Sequence, residues 1–419
     1  MIATLPCSIA SAGVLGALLV AAAAPHQALA HTHAAPHAHR HVPTAMAPRR
    51  MPALVAVVIP GDVYVIRADR SARRRLTGDR HAMSPRLSPT QRQIAYLDTV
   101  RSHKGASPYP TAGDVWVVAV DSSRARRLTA APVADLATPF WSPDGRRLAF
   151  YEGTAVAVCV VATDRCTTVL RSSHGARWDS RAPGIAWSPD GRRIAVALPY
   201  TGTYYPHVMR VAIGNVVSGR VTTSTIRFPS GALGHDIPPG SYPSGDGLTW
   251  RPDGRSLVFA TLGEGAGPPN VTGIWQIADT GGSAHLLIGT PAGVREKGYP
   301  AGSPLQQPTH FMFSPNGAYL AMDPDNRLWV AHADGTQGRF FALHLARNCV
   351  LAQSTWLADS SGLAYVTLCT VPSSSSVPVR SRLYSITVRG ATPHLLYALT
   401  DPDQGKVDLA PAYRCVDCG

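Results

Sequence analysis

The sequence has little lysine, little charge of either sign and few long apolar runs. Lysine occurs only at Lys104, Lys297 and Lys406, so arginine supplies nearly all of the 39 basic residues. Charged residues make up 16% of the chain, whereas Gly 37 and Pro 36 favour short elements joined by turns over long helices. A hydrophobic fraction of 45% excludes disorder of the whole chain. We therefore expect an all-β protein.

One segment alone is apolar enough to suggest targeting. Residues Ser8 to Ala24 are small and apolar, and Ala28-Leu29-Ala30 gives the A-x-A pattern that signal peptidase cleaves. No later stretch approaches the about 20 apolar residues of a membrane span. The sequence predicts a signal peptide over 1–30, a flexible His/Pro-rich tether over 31–53 and an exported mature chain. An uncleaved anchor is the alternative.

Cysteine usage agrees with export, because the cysteines that remain after cleavage are even in number. They are Cys159, Cys166, Cys349, Cys369, Cys415 and Cys418. Cys159 and Cys166 bracket a strand, a turn and a returning strand, so we expect a disulfide across one hairpin. Cys415 and Cys418 form a C-x-x-C in the tail 415–419. There a structural disulfide, with Cys349 or Cys369 as partners, is favoured over a redox pair or half of a zinc site.

Two kinds of segment alternate along the chain. The first reads W-S-P-D-G-R-R-L-A-F in its clearest copy, where Pro-Asp presets a type I turn and Gly supplies the positive φ that follows it. Its copies lie at 87–96, 141–150, 187–196, 250–259, 313–322 and 356–365. The second reads as two strands around a polar turn. Its copies lie at 62–77, 114–129, 156–170, 207–226, 273–288, 327–343 and 382–399.

Together the two kinds of segment make a four-stranded sheet, which is the signature of a β-propeller blade. We expect a single propeller over 54–414. Six first hairpins and seven second units require one blade to be completed by both ends of the chain, with residues 54–59 as its second strand and residues 406–413 as its innermost strand. Seven blades are favoured, and a six-bladed ring with an extra edge hairpin is the alternative.

The W-S-P-D-G hairpin followed by V-x-x-x-D-x-x-x-x-x-x-L-T resembles the TolB-like propeller repeat, which also occurs in prolyl oligopeptidase-type and tricorn-type peptidases. The resemblance covers about Asp62 to Leu399 and implies a propeller fold. The sequence departs from TolB in having no N-terminal α/β domain before the repeats. It departs from the peptidases in having no hydrolase domain after them and no G-x-S-x-G nucleophile elbow, which argues against peptidase activity.

Propeller geometry places the long connections on one face, where binding usually occurs. Their aromatic, His and acidic side chains suit a polar ligand such as a sugar or a peptide. The candidate ligand-binding residues are Trp178, Asp179, Arg181, Tyr204, Tyr205, His235, Asp236, Tyr242, Glu264 and Tyr299. His235 and Asp236 with Asp179, Glu264 or His174 would form a metal or acid/base site if they converge, although a role as loop anchors is favoured.

The opposite face is rich in arginine. We place there Arg73, Arg74, Arg75, Arg124, Arg126, Arg127, Arg146, Arg147, Arg192 and Arg193. Such a face can contact anionic lipid headgroups or wall polymers peripherally. No nucleic-acid motif or aromatic interleaving accompanies it, so no nucleic-acid partner is expected. A solvated, solubilising face is the favoured interpretation.

Cleavage after Ala30 would expose His31-Thr32-His33, a set of nitrogen donors suited to Cu(II) or Ni(II). A His-rich linker without a specific role is the favoured alternative. The sequence predicts an exported, monomeric, non-enzymatic propeller without a resident cofactor that binds a protein or cell-envelope polymer. The alternative is a propeller enzyme, a lyase or hydrolase on a glycan or small ester, with a His/carboxylate site in the funnel.

Overall fold

The computed structural model describes residues 53–78, 80–99, 112–129, 133–134, 138–153, 155–171, 185–198, 208–227, 248–261, 273–289, 311–323, 327–343, 345–346, 348–370, 379–390, 392–399 and 408–409. All of them fall within Met51–Gly419. Their regular structure consists of strands. The part of the chain that the structure describes contains no helix long and apolar enough to span a membrane.

The strands form seven mainly antiparallel sheets, the blades, numbered here along the chain. Blades 1 to 3 comprise β1 (Leu54–Ile59), β2 (Asp62–Arg67) and β3 (Arg73–Arg75); β4 (Ala82–Leu87), β5 (Gln93–Thr99), β6 (Ala112–Ala119), β7 (Ala125–Arg127) and β8 (Val133–Ala134); and β9 (Phe140–Trp141), β10 (Arg147–Glu152), β11 (Ala155–Val160) and β12 (Arg165–Arg171). The short β8 pairs with β6 at the edge of blade 2.

Blades 4 to 7 comprise β13 (Ala186–Trp187), β14 (Arg193–Leu198), β15 (Val208–Asn215), β16 (Val221–Arg227) and the short β20 (Gly282–Ser283); β17 (Leu248–Trp250), β18 (Ser256–Thr261), β19 (Gly273–Ala278) and β21 (His285–Gly289); β22 (Phe311–Phe313), β23 (Tyr319–Met322), β24 (Leu328–His332) and β25 (Arg339–Phe341); and β26 (Cys349–Trp356), β27 (Gly362–Thr370), β28 (Val379–Thr387) and β29 (His394–Leu399). The short β20 follows β19 along the chain but pairs in parallel with β16, linking blade 5 to the outer edge of blade 4.

The two ends of the propeller meet in blade 1. Strand β30 (Asp408–Leu409) pairs with β1, and the sheet order is β3-β2-β1-β30. The seven-bladed prediction is therefore confirmed, with residues 54–59 as the second strand of the closing blade, and the six-bladed alternative is wrong. The first strands of neighbouring blades contact one another, β30 against β4, β9 against β13 and β26 against β30, so they surround the centre of the ring.

The repeated hairpin owes its shape to its own polar residues. In blade 3, Ser142 Oγ donates to Asp144 Oδ1 at 2.5 Å, and the backbone N–H of Arg147 donates back to Ser142 Oγ at 2.9 Å. Gly145 has a φ of +66°, and a Cβ at this position would lie 3.2 Å from Thr90 Cγ2 of blade 2. Glycine is required here both for the left-handed turn and for the close approach of the next blade.

A hairpin tryptophan joins four of the blades to the blade before them. The indole N–H donates to a backbone carbonyl on the first strand of the preceding blade in four cases: Trp141 to Arg86, Trp187 to Phe140, Trp250 to Ala186 and Trp356 to Met312, at 2.8, 3.0, 3.3 and 3.1 Å. Trp141, Trp250 and Trp356 are buried. The indole group fills the space between two blades, and its N–H group is hydrogen-bonded. The tryptophan therefore packs the two blades together and also fixes their relative position.

Two disulfides cross adjacent strands. Cys159 bonds to Cys166 between β11 and β12, as the hairpin spacing predicted. Cys349 bonds to Cys369 between β26 and β27, where the two residues face each other in the register. The expected pairing of Cys349 or Cys369 with the C-terminal C-x-x-C is therefore wrong, because each is already used by the other. Cys415 and Cys418 lie outside the described residues.

Candidate functional site

The antiparallel order of each blade sorts its connections onto two faces of the ring. Turns between first and second strands, such as 142–147, and between third and fourth strands, such as 160–165, share one face, here the short-turn face. At the opposite face, here the long-connection face, β5 ends at Thr99 and β6 begins at Ala112, and β16 ends at Arg227 and β17 begins at Leu248. The predicted division of short turns and long connections between the faces therefore follows from the observed strand order.

The ligand-binding residues that the sequence predicted all lie outside the described residues. They are Trp178, Asp179, Arg181, Tyr204, Tyr205, His235, Asp236, Tyr242, Glu264 and Tyr299. The proposed metal donors His31 and His33 also lie outside the described residues. Both assignments stay predictions.

The described part of the long-connection face brings together one pair that sequence reasoning missed. His81 precedes β4 and Asp98 lies near the end of β5, and their Nδ1 and Oδ1 atoms are 3.9 Å apart. Their side chains are 41% and 22% exposed. Asp323, which follows the end of β23, accepts a hydrogen bond of 3.2 Å from Ser354 Oγ of the next blade. The signal in the sequence was the position of His81 and Asp98 at facing ends of one hairpin.

No group of three His, Cys, Asp or Glu side chains suited to a metal ion occurs among the residues that the structure describes. Carboxylates in the turns instead accept hydrogen bonds from backbone N–H and hydroxyl groups of the same turn. Burial opposes ionisation of Asp190, but hydrogen bonds from Ser188 Oγ and the Arg192 N–H outweigh it and lower the pKa of Asp190. Hydrogen bonds from Thr336 likewise lower the pKa of Asp334.

On the short-turn face, fewer arginine side chains extend freely into solvent than the sequence suggested, because several of them bind the neighbouring blade. Arg74 donates to the carbonyls of Val120 and Asp121 at 3.0 and 2.7 Å. Arg126, at the equivalent position of blade 2, donates to the carbonyl of Val161 in blade 3 and pairs with Asp164. Guanidinium groups suit this role because they offer several donors in a fixed plane.

The same bridging recurs elsewhere in the ring. Arg339 of blade 6 donates to the Val388 carbonyl of blade 7 at 2.5 Å, and Arg70 of blade 1 donates to the Leu395 carbonyl of blade 7 at 3.4 Å. Arg147 of blade 3 donates to the carbonyl of Gly191 in blade 4 at 3.3 Å. The arginine-rich turns therefore connect blades, and the expectation of a wholly solvated face is corrected for these residues.

Two further arginines act within their own blade. Arg75 pairs with Asp62 at 2.7 Å, and Arg127 pairs with Asp114 at 2.9 Å. The backbone N–H groups that follow the two aspartates, those of Val63 and Val115, donate to threonine hydroxyls. Asp62 and Asp114 stand near the start of the third strand, at its long-connection end. Arg75 and Arg127 therefore point away from the short-turn face on which we had placed them.

Three exposed arginines keep the basic character that was predicted. Within the described residues, the side chains of Arg124, Arg146 and Arg192 make no hydrogen bond or ion pair. Arg73 instead lies over the rings of Tyr64 and Tyr397, at 5.9 and 5.0 Å from their centroids. The surface available to anionic partners on this face is thus smaller than the formal charge of +13 implies.

Comparison with known proteins supports the fold. No protein-family model matches the sequence, and no curated protein does. Among solved structures, the chain is similar to an oligogalacturonate lyase from Vibrio parahaemolyticus, with a TM-score of 0.50 and 11% identity over 82% of this chain and 85% of that chain. It is similar to TolB from Acinetobacter baumannii, with a TM-score of 0.39 and 16% identity over 69% of this chain and 65% of that chain.

A third similar structure is the β-propeller domain of the Trilobed protease from Pyrococcus furiosus, with a TM-score of 0.49 and 11% identity over 81% of this chain and 88% of that chain. The chain thus spans less than two thirds of the TolB chain that it matches. At these identities the likeness shows a fold and no activity. That fold is the propeller which the TolB-like repeat implied.

Proposed function

We propose that this protein is an exported, non-enzymatic propeller that binds a protein or a cell-envelope polymer through its long-connection face. The observation that supports the proposal is how the repeat uses its polar residues. Ser142, Asp144 and their equivalents shape turns, while Trp141 and Arg74 and their equivalents join blades. The conspicuous repeat residues thus build a rigid ring, and a rigid ring that carries long connections on one face is suited to binding.

Export is part of the same proposal. The two disulfides support it, because such bonds persist in oxidising compartments outside the cytosol. Intact-mass analysis of the protein recovered from outside the cytoplasm, before and after reduction, tests this part. We expect a chain that begins at His31 and that, on reduction, gains the mass of the hydrogen atoms added at each disulfide. A chain that retains residues 1–30 would contradict cleavage.

Site-specific photo-crosslinking tests the binding face. A photoreactive residue at Tyr204 or Tyr242 would sample the long-connection face, and one at Val217 would sample the short-turn face, where Val217 is 73% exposed. Living cells that export each variant would be irradiated, and crosslinked products identified by mass spectrometry. We expect a defined protein or polymer adduct from Tyr204 or Tyr242 and none from Val217. Equal labelling from both faces would contradict a dedicated binding face.

The pair formed by His81 and Asp98 favours one alternative function, a lyase or hydrolase at the long-connection face. An imidazole beside a carboxylate is suited to general acid/base catalysis. Incubation with polygalacturonate and with a nitrophenyl ester would reveal unsaturated products or ester cleavage. Turnover lost in both His81→Ala and Asp98→Asn, but kept in His332→Ala, would replace the binding proposal with the enzyme. No turnover by the unaltered protein would leave the binding proposal in place.

A further inference from the structure

A cavity of about 480 Å³ opens on the short-turn face between blades 1 and 2. Its apolar wall consists of Leu54, Val65, Ala72 and Val120. This volume lies in the range that small-molecule sites occupy, about 300–1,000 Å³. Such sites combine an apolar lining with a few polar groups that orient the ligand. The cavity is on the opposite side of the ring from the face proposed above to bind a partner, so the two proposals are independent.

Arg67 and Arg92 also line this cavity. Arg67 ends β2, where the equivalent residue of blade 2 is Ala119 at the end of β6, so a guanidinium here is not part of the repeat. Within the described residues, neither the Arg67 nor the Arg92 side chain makes a hydrogen bond or an ion pair. Both guanidinium groups therefore have donors available for a ligand.

The third arginine of the cavity is fixed in place. The Arg74 guanidinium donates hydrogen bonds to the carbonyls of Val120 and Asp121 and to Ser123 Oγ, at 3.0, 2.7 and 3.0 Å. It therefore forms a rigid cationic part of the wall and leaves recognition to Arg67 and Arg92. Asp121 is the acidic residue of the lining, so three arginines face one carboxylate. The lining carries a net positive charge, which favours an anion.

The turn beside the cavity departs from the repeat. Gln91 occupies the position of the turn glycine and has a φ of +57°, a conformation that is costly for a residue with a side chain. Its Oε1 atom accepts a hydrogen bond of 2.8 Å from the backbone N–H of Leu54. This contact ties Leu54 of blade 1 to the turn of blade 2 that carries Arg92, and both residues line the cavity.

A carboxylate also stands near the cavity. Hydrogen bonds from Ser71 and, to a smaller extent, the charge of Arg67 lower the pKa of the exposed Asp69. Asp69 is fully solvated, so its attraction for Arg67 is screened and leaves the guanidinium able to bind a better-placed anion.

We propose that the cavity between blades 1 and 2 binds a small amphipathic anion, with its carboxylate or phosphate on Arg67 and Arg92 and its apolar body against Leu54, Val65, Ala72 and Val120. Charge-assisted hydrogen bonds from guanidinium groups supply the affinity for the head. Burial of the apolar body adds affinity that a simple anion such as acetate lacks. No chemical step is involved.

Isothermal titration calorimetry of the full mature chain tests this proposal. The probes are octanoate and octyl phosphate, both below their micelle-forming concentrations, with uncharged octanamide for comparison. We expect saturable one-to-one binding of at least one of the two anions, with octanamide weaker by about tenfold or more. Preference for octanoate or for octyl phosphate would identify the head group. Binding of octanamide equal to the anions, or no saturable binding of either anion, would overturn the proposal.

Variants show whether binding occurs in this cavity. Arg67→Gln and Arg92→Gln should each weaken binding by about tenfold. Arg146→Gln is the matched control, because Arg146 is exposed at the equivalent turn of blade 3, away from the cavity. Ala72→Phe should block the apolar wall while leaving both guanidinium groups in place. Unchanged binding in Arg67→Gln and Arg92→Gln, or an equal loss in Arg146→Gln, would place the ligand elsewhere and contradict the proposal.

Discussion

Arg193 of blade 4 forms an ion pair with Asp279 of blade 5, with 2.6 Å between Nη1 and Oδ2. The same guanidinium donates to the carbonyl of Gly254 at 2.9 Å and lies 4.4 Å from the centroid of Trp250. One side chain thus contacts a carboxylate, a turn carbonyl and an aromatic face of the neighbouring blade. Because both charged side chains are partly shielded from water, this contact contributes more than an ordinary surface ion pair.

The first prediction follows from this contact. Arg193→Ala should lower the free energy of unfolding by about 1–2 kcal/mol, because it removes a charge-assisted hydrogen bond and a cation–π contact between blades. Arg192→Ala is the matched control, since Arg192 is exposed and its side chain makes no hydrogen bond to a described residue. Its effect should stay within about 0.5 kcal/mol. Chemical denaturation followed by tryptophan fluorescence measures both, and equal losses would contradict the bridging role of Arg193.

The second prediction compares the two disulfides. Cys159 and Cys166 are separated by 7 positions, whereas Cys349 and Cys369 are separated by 20. In the chain-entropy description, a longer closed loop stabilises more, giving about 2.5 and about 3.3 kcal/mol. Replacing Cys349 and Cys369 by alanine should therefore destabilise the protein more than replacing Cys159 and Cys166. Denaturation midpoints of the two double variants test the order, and the reverse order would show that packing of the buried Cys159 outweighs loop length.

Most of the fold was predictable from the sequence, because its causes are local. Turn residues such as Pro143, Asp144 and Gly145 act within one hairpin, and alternating apolar residues reveal strands over a few positions. Ring closure was also predictable, since an unequal number of the two repeat units leaves β1 without an inner neighbour unless the C-terminal end returns. That return is observed as the pairing of Val57 with Leu409.

The contacts between blades were not predictable in the same way. Arg74 and Asp121 are 47 positions apart, and Arg193 and Asp279 are 86 apart, so no local pattern joins them. The sequence showed clustered arginines, and the default interpretation of such clusters is a solvated surface. Likewise, the cavity lined by Arg67 and Arg92 arises from two blades together. The predicted ligand-binding residues of the long-connection face remain untested, because they lie outside the described residues.

The third prediction concerns Asp190 and pH. Its pKa is lowered in the folded protein from the ordinary 3.8, so its stabilising effect is present above pH 3.8 and is lost as the pH falls through the lower, folded-state pKa. Asp190→Ala should cost about 1 kcal/mol at neutral pH, and this difference should shrink in acid. Urea denaturation at a series of pH values measures it.

The chain itself offers the control for Asp190. In blade 6 an asparagine, Asn316, occupies the equivalent position and accepts the equivalent hydrogen bonds from Ser314 Oγ and the Ala318 N–H, at 2.7 and 3.0 Å. Asp190→Asn should therefore retain the turn and most of the stability while removing the pH dependence of this position. If Asp190→Asn is as destabilising as Asp190→Ala, the charge of Asp190 matters more than its geometry, and our account of the turn is wrong.

The fourth prediction concerns alkaline pH. Burial raises the pKa of Tyr151 and of Tyr365 well above the ordinary 10.0, and for Tyr365 the neighbouring Tyr384 adds to the effect. A tyrosine whose pKa is raised on folding stays neutral in the native state but ionises in the unfolded chain. Its stabilising effect is therefore complete below pH 10 and declines as the pH rises further, by up to about 1.4 kcal/mol per pH unit and per tyrosine.

Tyr151→Phe removes one of these groups while keeping the ring that packs between blades. The free energy of unfolding of the unaltered protein should fall more steeply above pH 10 than that of Tyr151→Phe, and Tyr365→Phe should behave in the same way. Below about pH 9 the difference between each variant and the unaltered protein should be constant, which separates ionisation from lost packing. Parallel profiles throughout the alkaline range would mean that the phenols ionise as readily in the folded ring as in the unfolded chain, contrary to their burial between the blades.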